Sequence, residues 1–145
     1  MDSFFFQDKL EQSFIRVSWW CDYFEEHENL INERLVLLLS HVINMDHIWM
    51  CRLKHLKPDS EPYDVHQIYH LKQLNHASKM EWMDFWINST CFNDHHEKET
   101  QVSLHFLKDV TFNLFLHHAK HIGQISLICK EIGLIVDEPK FHLIE

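Results

Sequence analysis

The sequence predicts an all-α protein, a four-helix bundle, on three observations. Only two glycines and three prolines occur in 145 residues, and Pro58, Pro62 and Pro139 fall in two places, so long stretches carry no helix breaker. Apolar residues recur at steps of three and four along four such stretches, which is the period of a helix face. Hydrophobic residues make up 46% of the chain and include five tryptophans, enough for one sizeable core, and composition does not shift along it. Residues 1–145 therefore read as a single domain, the architecture that buries four apolar stripes against one another.

Phe6, Leu10, Phe14, Val17, Cys21 and Phe24 mark the inner face of a first helix over residues 3–26. HENLINER is a tight connection in which Asn29 is the expected cap. The second helix is expected over residues 30–56, with a stripe of Leu30, Leu37, Leu38, Met45, Ile48, Trp49 and Leu56 that also contains His41. KPDSEP, residues 57–62, is a longer loop, and Asp64 with Gln67 resembles a capping box that opens a third helix reaching about Ile87. That helix carries Leu71, Leu74, Trp82, Phe85 and Trp86 inward. After a second loop over residues 89–102, a fourth helix is expected over residues 103–132, stopped by Gly133 and Pro139.

Charge and cysteine usage narrow the classes of function. A formal charge of -9 with no basic run disfavours nucleic acid, because phosphate binding needs clustered Lys and Arg. Cys21, Cys51, Cys91 and Cys129 are widely spread, without a CxxC pair, and read as reduced thiols packed in a cytoplasmic protein. MDSFFFQDKL has no basic leader and too short an apolar run for a signal peptide or a membrane span.

The chemistry lies in LFLHHAKHIGQI, residues 114–125, where three histidines interrupt an apolar helix. With 14 histidines in the chain, about 1.3 pairs arise by chance at any chosen spacing, so the HxxxH pairs His66/His70 and His117/His121 mean nothing by spacing alone. Position separates them. His66 and His70 lie beside a polar loop and read as solvated surface. On a helical wheel His121 falls within the stripe of Val110, Leu114, Ile125, Ile128 and Ile132, with His117 about 40° to one side and His118 about 60° to the other. Periodicity thus favours His117 over His118 only by a small margin. Two imidazoles four apart reach one ion, and His41 on the second helix supplies a third. One metal explains three core-facing histidines more economically than three separate hydrogen-bond arrangements. The remaining histidines read as surface, Asp46 as solvated, and the pairs Trp19/Trp20 and Trp82/Trp86 as core.

LLSHVINMDHIWMCRL, residues 38–53, and HHAKHIGQI, residues 117–125, resemble the second-helix and fourth-helix signatures of the DinB/YfiT-like superfamily. In the first, His41 is followed by Trp49 and Arg52; in the second, the family pattern NHxxYHRGQI is matched at His117, His121, Gly123 and Gln124. Leu116, Lys120 and Ile122 stand where that family often has Asn, Tyr and Arg. The resemblance implies a metal-binding bundle that often dimerises, with His41, His117 and His121 as ligands to zinc, nickel, iron or manganese. Some members are transferases that use a low-molecular-weight thiol, which would then be a co-substrate.

Together these features predict a metal-dependent thiol S-transferase or hydrolase, in which the ion lowers the pKa of a bound thiol or water. No side chain stands out as general base. The competing expectation is a non-catalytic dimeric bundle whose histidine site is structural or empty. A dimer is expected from a second apolar face on the fourth helix, formed by Phe112, Phe115, Leu116, Ile122 and Leu127.

Overall fold

The computed structural model describes residues 2–90 and 102–140, all of them helix or irregular chain without strands. Four long helices are present among these residues: α1 (Ser3–Glu26), α2 (Glu33–Leu53), α3 (Ile68–Thr90) and α4 (Leu104–Glu131). α1 packs on α3 and α4, and α2 packs on the same two, so α1 faces α2 across one diagonal of the bundle. No described helix is long and apolar enough to cross a membrane.

Local chemistry explains where each helix starts and stops. Asp2, Asn32 and Ser103 each accept a hydrogen bond from the amide three residues on, satisfying one of the donors a helix start leaves free. Asn32, not Asn29, is therefore the cap of α2, because residues 28–30 form a short 3-10 turn first. Asp64 does not open α3. Its carboxylate accepts from the amide of Glu61, which spends it inside the loop, and α3 begins at Ile68. α3 runs on to Thr90, past the expected end at Ile87, and residues 91–101 lie outside the described chain.

α2 and α4 end in the same way. At α4 the amide of Leu134 reaches the Cys129 carbonyl and that of Gly133 reaches the Lys130 carbonyl, with Gly133 at φ +89°. At α2 the amides of Leu56 and His55 reach the carbonyls of Cys51 and Arg52, and His55 holds the left-handed position at φ +58°. Both are Schellman stops; in α2 a histidine does what glycine does in α4.

The core is divided. One apolar cluster contains Trp20, Phe24, Leu35, Leu39, Leu71 and Ile125, and the other contains Leu10, Phe14, Met50, Trp82, Trp86 and Leu114. Between them in every helix sit polar side chains that are all buried: Ser13, Asp46, Asn75 with Ser78, and His118. Asp46 is thus not solvated as its sequence context suggests. It is fully buried, and both of its oxygens lie 2.8 Å from Nε2 of His118. Ser13 Oγ lies 2.6 Å from the other ring nitrogen, completing a chain across α1, α4 and α2. Burial raises the Asp46 pKa, and the adjacent His118 opposes that rise.

His118, not His121, occupies the centre of the inner face of α4. The buried seam runs Leu107, Thr111, Leu114, His118, Ile122, Ile125 and Cys129, with Phe115 buried beside it, so Phe115 and Ile122 belong to the core and not to an outer face. Ile132, expected in the stripe, is exposed. On α2, Leu30 and Leu56 are exposed and lie outside the helix, whose buried line includes Leu35, Leu39, Val42, Asp46 and Met50.

Candidate metal centre

His41, His117 and His121 stand together on the rim of the bundle, each offering a ring nitrogen within 4.8 Å of the other two. His41 is buried on α2, while His117 and His121 are half-buried, one turn apart on α4. Nε2 of His117 lies 3.2 Å from Nε2 of His41. Two nitrogens bound at about 2.0–2.1 Å to one tetrahedral ion stand about 3.3 Å apart, so this spacing suits a shared ion.

The outer partners fix which nitrogen faces inward. His41 Nδ1 lies 2.8 Å from the Pro62 carbonyl, which only accepts, so the proton sits on Nδ1 and the Nε2 lone pair faces the cluster. His121 Nδ1 donates in the same way to Oε1 of Gln124 at 2.6 Å, leaving Nε2 as its free nitrogen. His117 Nδ1 is buried without a partner. One proton on His117 can be shared with His41, but it cannot satisfy all the lone pairs that meet here; a cation can.

Electrostatics favour the form that binds metal. Desolvation first, then the neighbouring His121 and His41, push the His117 pKa down to about 3. Desolvation also lowers that of His121, against the bond from Gln124. Both imidazoles are therefore neutral at neutral pH, the protonation state a metal ligand needs.

The loop between α2 and α3 holds His41 in place. The Tyr63 ring stacks on the His41 ring at 4.5 Å and 5° between planes, and Asn44 Nδ2 donates to the carbonyl of Asp64 at 2.8 Å. His66, expected at the surface, is half-buried; its amide donates to Ser40 Oγ and its ring donates to Asn44 Oδ1. His47 also departs from a surface role by accepting the amide of Asp59. Ser40, Asn44 and His47 thus satisfy the polar groups of the loop whose Pro62 carbonyl bonds to His41.

A cleft of about 550 Å³ opens beside the cluster, between α2 and α4, and His117 is part of its wall. Trp49, Phe106, Val110 and Leu116 make it mainly apolar, and Arg52 and Lys120 supply its charged groups. Trp49 meets His117 edge to face at 5.1 Å.

No family model, curated protein or solved structure matches this chain. What is known of the site is therefore its geometry.

The fold brings together the three histidines that the sequence singles out. Pro62 and Gln124, which orient two of them, have no such role in the sequence pattern. His118 belongs to the buried chain with Asp46 and Ser13 and takes no part in the cluster. Asp46 is equally unavailable to the cleft as a base.

Proposed function

We propose that this chain is a divalent-metal-binding, DinB-like protein in which His41, His117 and His121 hold zinc, nickel, iron or manganese. Its activity would be that of a metal-dependent thiol S-transferase or hydrolase. The observation that carries the reading is the convergence of Nε2 lone pairs from His41 and His121, each fixed by a bond on the opposite ring nitrogen, next to Nε2 of His117. A bound divalent ion supplies Lewis acidity, making a thiolate or hydroxide available near neutral pH. The chain's own residues do the rest: Pro62 and Gln124 orient ligands, Tyr63 covers one face of His41, and the α2/α4 cleft offers room for a small molecule beside His117.

Association with a second copy through the exposed Phe112 and Leu127 belongs to the same proposal. One observation favours the non-catalytic reading: the described residues that line the cleft include no carboxylate to act as a general base.

The test begins with elemental analysis of untagged protein, comparing wild type with His121→Ala. Near-stoichiometric metal that the variant loses supports the site. Transfer of a low-molecular-weight thiol to an electrophile, or hydrolysis, that requires the metal then supports the enzyme. Wild type that takes up no zinc, nickel, iron or manganese refutes the reading.

A further inference from the structure

The α2/α4 cleft has an unusual charge pattern for so acidic a protein. The chain carries a formal charge of -9, yet the charged groups in the cleft wall are Arg52 and Lys120, both cationic. Arg16, Lys54 and Lys72 each meet an acid, Glu138, Glu81 and Asp22 respectively. Arg52 and Lys120 have no acidic partner among the described residues, and none of their helix neighbours three or four positions away is Asp or Glu. Lys120 is near enough to His117 and His121 to act on both electrostatically, so the Lys120 end of the cleft adjoins the histidine cluster.

The other walls are apolar and partly aromatic. Trp49, Leu53, Phe106, Val110 and Leu116 surround a space of about 550 Å³, within the range of small-molecule sites. Asn113 adds one neutral hydrogen-bonding group. An uncharged ligand would gain nothing from the two cations. A phosphorylated sugar would set many hydroxyls against an apolar wall. A flat or branched apolar body carrying one carboxylate satisfies both parts.

We propose that this cleft binds a small amphipathic carboxylate, an aryl or alkyl acid, with its carboxylate toward Arg52 and Lys120 and its apolar body against Trp49, Phe106 and Val110. Which bond of such a molecule reacts rests on the metal reading above; whether the molecule binds does not.

The probes are 2-naphthoate and its neutral isostere 2-naphthamide, titrated calorimetrically into metal-free protein. The expected result is that naphthoate binds about tenfold or more tighter than naphthamide, as charge-assisted bonds to two cations require. Arg52→Gln and Lys120→Gln each remove a large part of that preference and leave naphthamide binding unchanged; both side chains are exposed, so the fold is retained. Val110→Trp, which fills the cleft, abolishes binding of both probes. Equal affinity for the two probes, or no binding of either, overturns the proposal, as does a preference that survives both Gln substitutions. Binding that weakens as protein concentration rises also overturns it, because a second copy then covers the cleft. Zinc titration of wild type and His121→Ala, run separately, reports on the metal site, so the two ideas fail independently.

Discussion

His118→Leu is the substitution that best separates the buried polar chain from the metal cluster. It removes the donor to a carboxylate that is fully buried and leaves the Ser13 hydroxyl without its 2.6 Å partner. Removing the partner of a buried carboxylate costs about 3–5 kcal/mol, a large share of the roughly 5–15 kcal/mol that holds a domain folded. Asp46 can escape by taking a proton, since burial already raises its pKa. A carboxyl whose pKa is raised on folding favours the folded state below its unfolded value, near 3.9, and loses that advantage as pH rises through the folded value. The cost of His118→Leu is therefore larger at pH 7.5 than at pH 5. Asp46→Leu alone strands the imidazole and costs about 1–3 kcal/mol. The double variant, with apolar groups on both sides, recovers stability, giving a coupling of about 2 kcal/mol or more. The assay is urea unfolding followed by tryptophan fluorescence, in chelator and at both pH values. Losses that add within about 0.5 kcal/mol, or a His118→Leu cost that does not change with pH, would refute the buried pair.

Three further outcomes are expected from other parts of the molecule. In metal-free protein His117, with its pKa held down to about 3, contributes stability that is full above about 6.5 and lost as pH falls toward the folded value. Between pH 6 and 4 wild type should thus lose stability faster than His117→Gln, by up to about 1.4 kcal/mol per pH unit and less where solvent screens this half-buried ring; parallel pH profiles in chemical denaturation would contradict it. His55→Gly should raise stability by about 0.5–1 kcal/mol, because glycine takes φ +58° without strain, and the melting temperature reads it. Glu138→Ala should cost about 1–3 kcal/mol by freeing both Arg16 and the Trp20 indole from the carboxylate that joins them, and a change below about 0.5 kcal/mol in urea would show that this contact adds nothing.

The helices were legible because their period was uninterrupted by Gly or Pro; the first helix ends where its apolar face ends, at Glu26. The inner line of the bundle was less legible, for a physical reason. On α1 the core line is Phe6, Leu10, Ser13, Val17, Trp20 and Phe24; on α2 it passes through Asp46; on α4 it passes through Thr111 and His118. A wheel drawn from apolar residues alone gives these positions no weight and rotates the stripe toward Val110 and Ile132. One signal was present: the step from Val42 to Met50 on α2 and that from Leu114 to Ile122 on α4 each skip one inner position. Both gaps are polar, one filled by Asp46 and the other by His118. The Pro62 contact carried no such signal, since a loop carbonyl gains its role only from the fold, and Gln124 stood out only as a position of the resembled pattern.

His117 and His118 are neighbours in the chain and do different work because a helix turns about 100° between them. His118 faces the diagonal of the bundle, where its bonds to Ser13 and Asp46 tie α4 to α1 and α2. His117 faces the gap between α2 and α4, where His41 and the cleft lie. Substituting the half-buried His121 therefore removes one imidazole from a cluster that already borders solvent, and costs little in folding. Substituting the buried one strands a carboxylate in the middle of the core. If the metal proposal holds, His121→Ala loses metal with a melting temperature in chelator near that of wild type, and the Asp46→Leu/His118→Leu pair keeps metal while its stability shifts. The opposite pattern, metal lost from the buried pair and retained at the rim, would mean that the ion belongs to His118 and Asp46 and that the three-histidine assignment is wrong.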